Sequence, residues 1–216
     1  MKNIEKLKKI ANENNWELDY LTDGSPIFQS ENLYTFTSDS VVLARYVDEE
    51  VIDTLVDFCS GSGIVGFEVV GRVPTKKLYQ FEIQSELAHL AETRAKFNET
   101  ETKIEVINES LVGASEYLSR VDVVVCNPPY FKKGSGKINE SSSKSLARHE
   151  LSVTLEDIFK SAQSILKSGG SLYFIHIKMR EKEMSSLAKK YGFVENKKQV
   201  LEGNKLVRFL VKYTKN

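Results

Sequence analysis

From residue 53 onward, short apolar runs alternate with longer stretches in which apolar residues recur every three or four positions. The first kind reads as buried strand and the second as amphipathic helix. The predicted strands are "TLVDFC" (54–59), "KLYQFEI" (77–83), "KIEVIN" (103–108), "VDVVVCN" (121–127), "SLYFIHI" (171–177) and "KLVRFLVKY" (205–213). Between them, "GIVGFEVVGR", "SELAHLAETRAKFN", "SLVGASEYL", "TLEDIFKSAQSILKSGG" and "REKEMSSLAKKYGF" predict helices, the fourth ended by Gly169-Gly170. Continuous apolar strands alternating with helices indicate an α/β domain, its sheet mostly parallel and covered on both faces. Before residue 50 the pattern changes. Asn3 to Asn14 predicts a polar helix, Asp23-Gly24 a turn between two short strands, and "SDSVVLARYV" a helix capped by Ser38 or Asp39. The expected organisation is an N-terminal helix and hairpin extension over 1–50 and the α/β domain over 51–216.

Composition changes this picture little. At 216 residues, 41% hydrophobic and 28% charged, the chain suits one soluble globular domain. No apolar run approaches the roughly 20 residues that span a bilayer, and the polar start lacks a secretory h-region. A cytoplasmic, membrane-free protein is expected. Cys59 and Cys126 both follow apolar runs, which predicts buried thiols and no metal site. Charge is more informative. Residues 1–120 hold 12 Lys and Arg against 21 Asp and Glu, whereas residues 121–216 hold 18 against 9. A basic half can attract a polyanion, although solvated helix faces would give the same count.

Candidate chemistry begins at "VDFCSGSGIVG". Gly61 and Gly63 allow a tight turn and close backbone approach to a ligand, and with Gly66 they complete G-x-G-x-x-G. Glu82 closes the next strand, where a carboxylate grips a ribose diol. A dinucleotide would place its pyrophosphate on the helix that follows. Asp57, just before the turn, repels a pyrophosphate and suits a cationic ligand, and S-adenosyl-L-methionine carries an ammonium, a sulfonium and a ribose. The competing readings are a turn that only packs helix on strand and an Asp57 that caps the helix.

The fourth strand of this domain delivers "NPPYF" to the same edge. An exocyclic amine on an aromatic ring is a poor nucleophile because its lone pair is delocalised. The side-chain oxygen of Asn127 and a carbonyl held rigid by proline, that of Pro128, can accept its two hydrogens and aim the lone pair at a methyl group. Tyr130 offers a stacking face, worth roughly 1–3 kcal/mol per base. Phe131 could extend that platform. The Gly/Ser/Lys-rich stretch that follows, "KKGSGKINESSSKS", predicts a mobile loop; its Lys132 and Lys133, with Arg148 beyond it, could bind phosphates. Lys189, Lys190, Lys197 and Lys198 could add to that surface.

Taken together, "FTSDSVVLA", "DFCSGSGIVG", "FEIQ", "NPPYF" and "ARHE" resemble the class I methyltransferases that modify amino groups, most of all the bacterial tRNA (adenine-N6)-methyltransferase group acting near the anticodon. The resemblance implies a Rossmann-like, seven-stranded sheet and methyl transfer from S-adenosyl-L-methionine to N6 of adenine in tRNA. It implies Asp57, Gly61 and Gly63 for the methionine part of the cofactor, Glu82 for its ribose, and Asn127, Pro128 and Tyr130 for the target amine. Asn108 stands where such enzymes carry an acid against the cofactor's adenine, and Cys59 where many carry glycine. Three alternatives stay open: a protein glutamine-N5 methyltransferase, an NAD-linked oxidoreductase and a non-catalytic RNA-binding module.

Overall fold

The computed structural model describes residues 2–33, 35–97, 100–130, 153–203 and 206–216 of the chain. It opens with helix α1 (Lys2–Glu13), the antiparallel hairpin β1 (Glu17–Tyr20) and β2 (Pro26–Gln29), and helix α2 (Ser38–Tyr46). The α/β alternation follows: β3 (Ile52–Phe58), α3 (Ile64–Val70), β4 (Thr75–Phe81), α4 (Ser85–Ala95), β5 (Lys103–Ile107), α5 (Ala114–Tyr117), β6 (Val121–Cys126), α6 (Leu155–Ile165), β7 (Leu166–Ile177), α7 (Glu181–Lys190), β8 (Phe193–Leu201) and β9 (Arg208–Lys215). Strands β3 to β9 form a seven-stranded sheet of order β5-β4-β3-β6-β7-β9-β8. Pairing is parallel from β5 through β7 and antiparallel for β7–β9 and β9–β8. No helix among the described residues is long and apolar enough to cross a membrane.

The central strands are mostly apolar because both their faces are covered. Val124 and Cys126 of β6 pack into a core with α6 and α7, whereas Val123 and Val125 pack with α2 and α3 on the other face. Alternate side chains of one strand thus feed two cores. A third cluster joins α1 and the hairpin to α4 through Leu7, Phe28, Leu87 and Leu90. Polar ties fix the N-terminal elements against this frame: at α2, Arg72 Nη2 donates to the carbonyls of Ala44 and Val47 at 2.6 and 2.7 Å, and at the hairpin turn, buried Glu68 of α3 accepts both the amide and the hydroxyl of Thr22.

Three expectations need correction. The helix over 154–170 stops at Ile165, because the chain re-enters the sheet at Leu166, opposite Val121. Gly169-Gly170 therefore lies inside β7 as an irregularity: Gly169 has φ +78°, and a Cβ on Gly170 would stand 3.0 Å from the Lys167 carbonyl. Neither Ser38 nor Asp39 caps α2. Thr37 occupies that position without a side-chain cap bond, and Asp39 turns elsewhere. Finally, "FVENKKQVL" forms β8, which no apolar pattern announces, since only its first residue is buried.

Candidate active site

The strand order reverses between β3 and β6, where open α/β sheets bind ligands beyond the strands' carboxyl ends. A cavity of about 340 Å³ lies there. Its walls come from the β3–α3 turn, the ends of β4, β5 and β6, and the start of α2.

The β3–α3 turn is folded by three left-handed residues in five: Cys59 at φ +57°, Gly61 at +58° and Gly63 at +89°. At Gly63 glycine is also required by space, because a Cβ would lie 2.6 Å from the Phe67 ring and 2.7 Å from Gln80 Nε2. That same Gln80 nitrogen donates to the Gly63 carbonyl at 2.9 Å. Gly61 and Cys59 line the cavity; Gly63 supports the turn from behind. Cys59 is half-buried, and beneath it the fully buried Cys126 has its thiol pushed well up by burial and by contact with Cys59.

Asp57 is not on the cavity wall. It is 0% exposed beneath the turn, where Oδ2 accepts the Gly66 amide at 2.9 Å and Oδ1 has no partner. Burial pushes its carboxyl up to about 7, against the pull of the Gly66 amide and of the nearby Gln80 side chain, whose Nε2 is spent on the Gly63 carbonyl. The carboxylate thus braces the start of α3 and places a titratable charge under the turn.

Glu82, at the end of β4, does face the cavity. Its Oε2 accepts the Gly61 amide and its Oε1 the Gln84 amide, both at 2.8 Å, so the side chain is fixed before any ligand arrives. Burial raises its pKa, and the Gln84 and Gly61 amides oppose that shift. Each carboxylate oxygen keeps a lone pair for a further donor. Asn108 departs from expectation: it is off the wall, its Nδ2 donating to the Glu82 carbonyl at 2.8 Å. Its successors Glu109, Ser110 and Leu111 line the cavity instead. Ile83, 48% exposed, adds an apolar surface beside Glu82. An aliphatic residue directly after a strand-ending acid, unburied by any helix, was the available sequence signal.

Across the cavity stand Asn127, Pro128 and Tyr130. Asn127 Nδ2 donates to Ser40 Oγ at 3.0 Å. The Tyr130 hydroxyl lies 2.8 Å from Asp39 Oδ2 and 3.1 Å from Asn127 Oδ1. Asp39 Oδ1 in turn meets Arg208 Nη1 at 2.7 Å. The Tyr130 ring packs against buried His176, centroids 5.2 Å apart, and burial lowers that imidazole to about 3, so it is neutral. Asp39, Ser40, His176 and Arg208 were missed as site residues because each reads in sequence as a cap, a helix residue or part of a strand.

Phe131, Lys132, Lys133, Arg148 and the loop 132–145 lie outside the described residues. Of the lysines expected to add basic surface, three have acidic partners: Lys190 with Glu156, Lys197 with Asp48 at 2.9 Å, and Lys198 with Glu195 and Glu181 at 2.9 and 3.0 Å. Such exposed pairs are weak, and they set an acid beside each of these three cations. Among the described residues, no cluster of three or more His, Cys, Asp or Glu is placed to hold a metal ion.

The pattern of the methyltransferase small domain family matches residues 35–205. A Porphyromonas gingivalis protein named tRNA1(Val) (adenine(37)-N6)-methyltransferase is 26% identical over 172 residues, 74% of this chain and 65% of that protein. The Histophilus somni protein of the same name is 29% identical over 161 residues, 72% of this chain and 64% of its own. The chain therefore spans just under two thirds of these relatives. Among solved structures, Methanocaldococcus jannaschii Trm5 in complex with adenosine aligns with a TM-score of 0.67, covering 93% of this chain and 56% of that one at 16% identity. At that identity the likeness is one of fold.

Proposed function

This chain belongs to the methyltransferase small domain family, and from that premise we propose that it transfers a methyl group from S-adenosyl-L-methionine to N6 of an adenine in tRNA, near the anticodon. The observation that carries the proposal is the placing of Glu82 and Asn127 on opposite walls of one cavity, with the glycine turn between them. The names of the relatives support tRNA as the substrate and N6 as the target.

The residues present fit the cofactor. Glu82 is a preset acceptor for ribose hydroxyls, Ile83 and Leu111 offer apolar contact to a base, and the β3–α3 turn brings half-buried Gly61, which has no side chain, to the cavity wall. Asp57, buried beneath the turn with Oδ1 unpartnered, carries negative charge there as it deprotonates near pH 7, suited to a nearby cation. S-adenosyl-L-methionine, when bound, supplies an electrophilic methyl carbon. Asn127 and the Pro128 carbonyl then accept the two hydrogens of the target amine and free its lone pair, while the Tyr130 ring stacks on the base. The base must leave its stack to enter, at least cost in an unpaired loop. Holding the amine in line contributes up to about 7–11 kcal/mol without any general base.

The test is incubation of the protein with labelled cofactor and unmodified cellular RNA, followed by nucleoside analysis by mass. N6-methyladenosine should accumulate in the tRNA fraction and be absent with Asn127→Ala, which should still bind cofactor. Label appearing in protein glutamine, or undiminished with Asn127→Ala, contradicts the proposal.

A further inference from the structure

The start of α2 contributes two consecutive buried residues, Asp39 and Ser40, that both grip the end of β6. Sequence separations of 91 and 87 residues make this bracket a product of the fold alone. A third segment joins it, since Arg208 at the start of β9 holds Asp39 Oδ1 at 2.7 Å.

The bracket raises a question of proton allocation. A phenol has one proton, and among the described residues Tyr130 has two acceptors in reach: Asp39 Oδ2 at 2.8 Å and Asn127 Oδ1 at 3.1 Å. A carboxylate is the stronger acceptor, because charge-assisted bonds are about twice as strong as neutral ones. The proton therefore goes to Asp39 whenever Asn127 Oδ1 is offered another donor. Ser40 meanwhile holds the opposite end of the amide, so that Oδ1, and not Nδ2, is the end left for a ligand.

We propose that Asp39 and Ser40 are positioning residues that reserve Asn127 Oδ1 for the substrate's amino group, Asp39 by drawing the Tyr130 proton away and Ser40 by fixing the amide's orientation. This rests on the reading of Asn127 given above, and it identifies the required substrate group as a hydrogen-bond donor with a proton to spare.

Arg208 makes the idea testable, because it has donors only. In Asp39→Asn it would hold the new amide by its oxygen, leaving the NH2 to face the Tyr130 oxygen. Tyr130 would become the acceptor there, and its proton would turn to Asn127 Oδ1 and occupy it. Methyl transfer at saturating cofactor should then fall roughly tenfold in kcat, the scale of one competing hydrogen bond. Adding Tyr130→Phe removes the competing proton and keeps the ring, so Asp39→Asn/Tyr130→Phe should be faster than Asp39→Asn alone. A double variant as slow as, or slower than, Asp39→Asn, with thermal midpoint and cofactor affinity retained, overturns the proposal. Ser40 gives an arm independent of the ion pair: Ser40→Ala should lose kcat and Ser40→Thr should restore it, and equal rates for the two count against the idea.

A readout free of catalysis separates this inference from the functional reading. In protein labelled with [15N]asparagine, the Asn127 side-chain signal, identified by its loss in Asn127→Asp, should shift in Asp39→Asn and return in the double variant. A signal that does not move refutes the allocation. Wild-type protein that methylates no RNA, with the signal moving as stated, refutes the functional reading alone.

Discussion

Asp57→Asn should make the protein more stable at pH 8 while weakening its grip on a cationic ligand. The carboxyl lies fully buried beneath the glycine turn, one oxygen without a partner, and burial moves it from 3.8 up to about 7. Because the folded state holds the proton more tightly than the unfolded chain, stability falls as pH rises between those values and is lowest above about 7. The interval is roughly three pH units at about 1.36 kcal/mol each, a ceiling of about 4 kcal/mol. Asparagine keeps the acceptor that Oδ2 offers the Gly66 amide and carries no charge at any pH. Denaturant unfolding of both proteins should therefore show a gap near zero at about pH 4 that opens in favour of Asp57→Asn and levels off above about pH 7. Calorimetry with S-adenosyl-L-methionine should show weaker binding by the variant. A stability gap independent of pH would refute the account of Asp57 as a charge held at a cost.

Other outcomes follow from the same geometry. Glu82→Ala removes the acceptor for the ribose and orphans the Gly61 and Gln84 amides; calorimetry should show cofactor affinity at least roughly tenfold lower, and unfolding a loss of about 1–3 kcal/mol per orphaned group. Gly63→Ala forces a Cβ to within 2.6 Å of Phe67 at φ +89° and should cost several kcal/mol, roughly the sum of backbone strain and overpacking, read from the denaturation midpoint. At Cys59, φ +57° is strained for any side chain; thermal melts should show Cys59→Gly stabilised by up to about 1 kcal/mol and Cys59→Val destabilised.

The sequence made the centre of the sheet legible because β3, β6 and the second half of β7 are largely buried on both faces, and burial leaves a mostly apolar run. It hid β8 for the opposite reason: as an exposed edge its residues answer to solvent, so "ENKKQ" carries no strand signal. The cavity divided the same way. Glu82 and Asn127 were readable because each ends an apolar strand at the rim where ligands bind. Asp57 lies inside β3, paired with Gln80 and Val125 and so two residues short of the level of Glu82 and Asn127, and its side chain accepts the Gly66 amide beneath the turn. Asn108 misled because its amide bonds the neighbouring strand's carbonyl, a choice that only tertiary contact decides. The bracket of Asp39, Ser40 and Arg208 was invisible, since its partners lie 87 to 169 residues apart.

The central claim is that one cavity brings a methyl donor against an amine held by Asn127. A crystal structure of the protein with S-adenosylhomocysteine measures this directly. The account requires the ribose hydroxyls on Glu82 and the sulfur facing the Asn127 side of the cavity. A product bound outside that cavity, or with its sulfur turned away from Asn127, would contradict it.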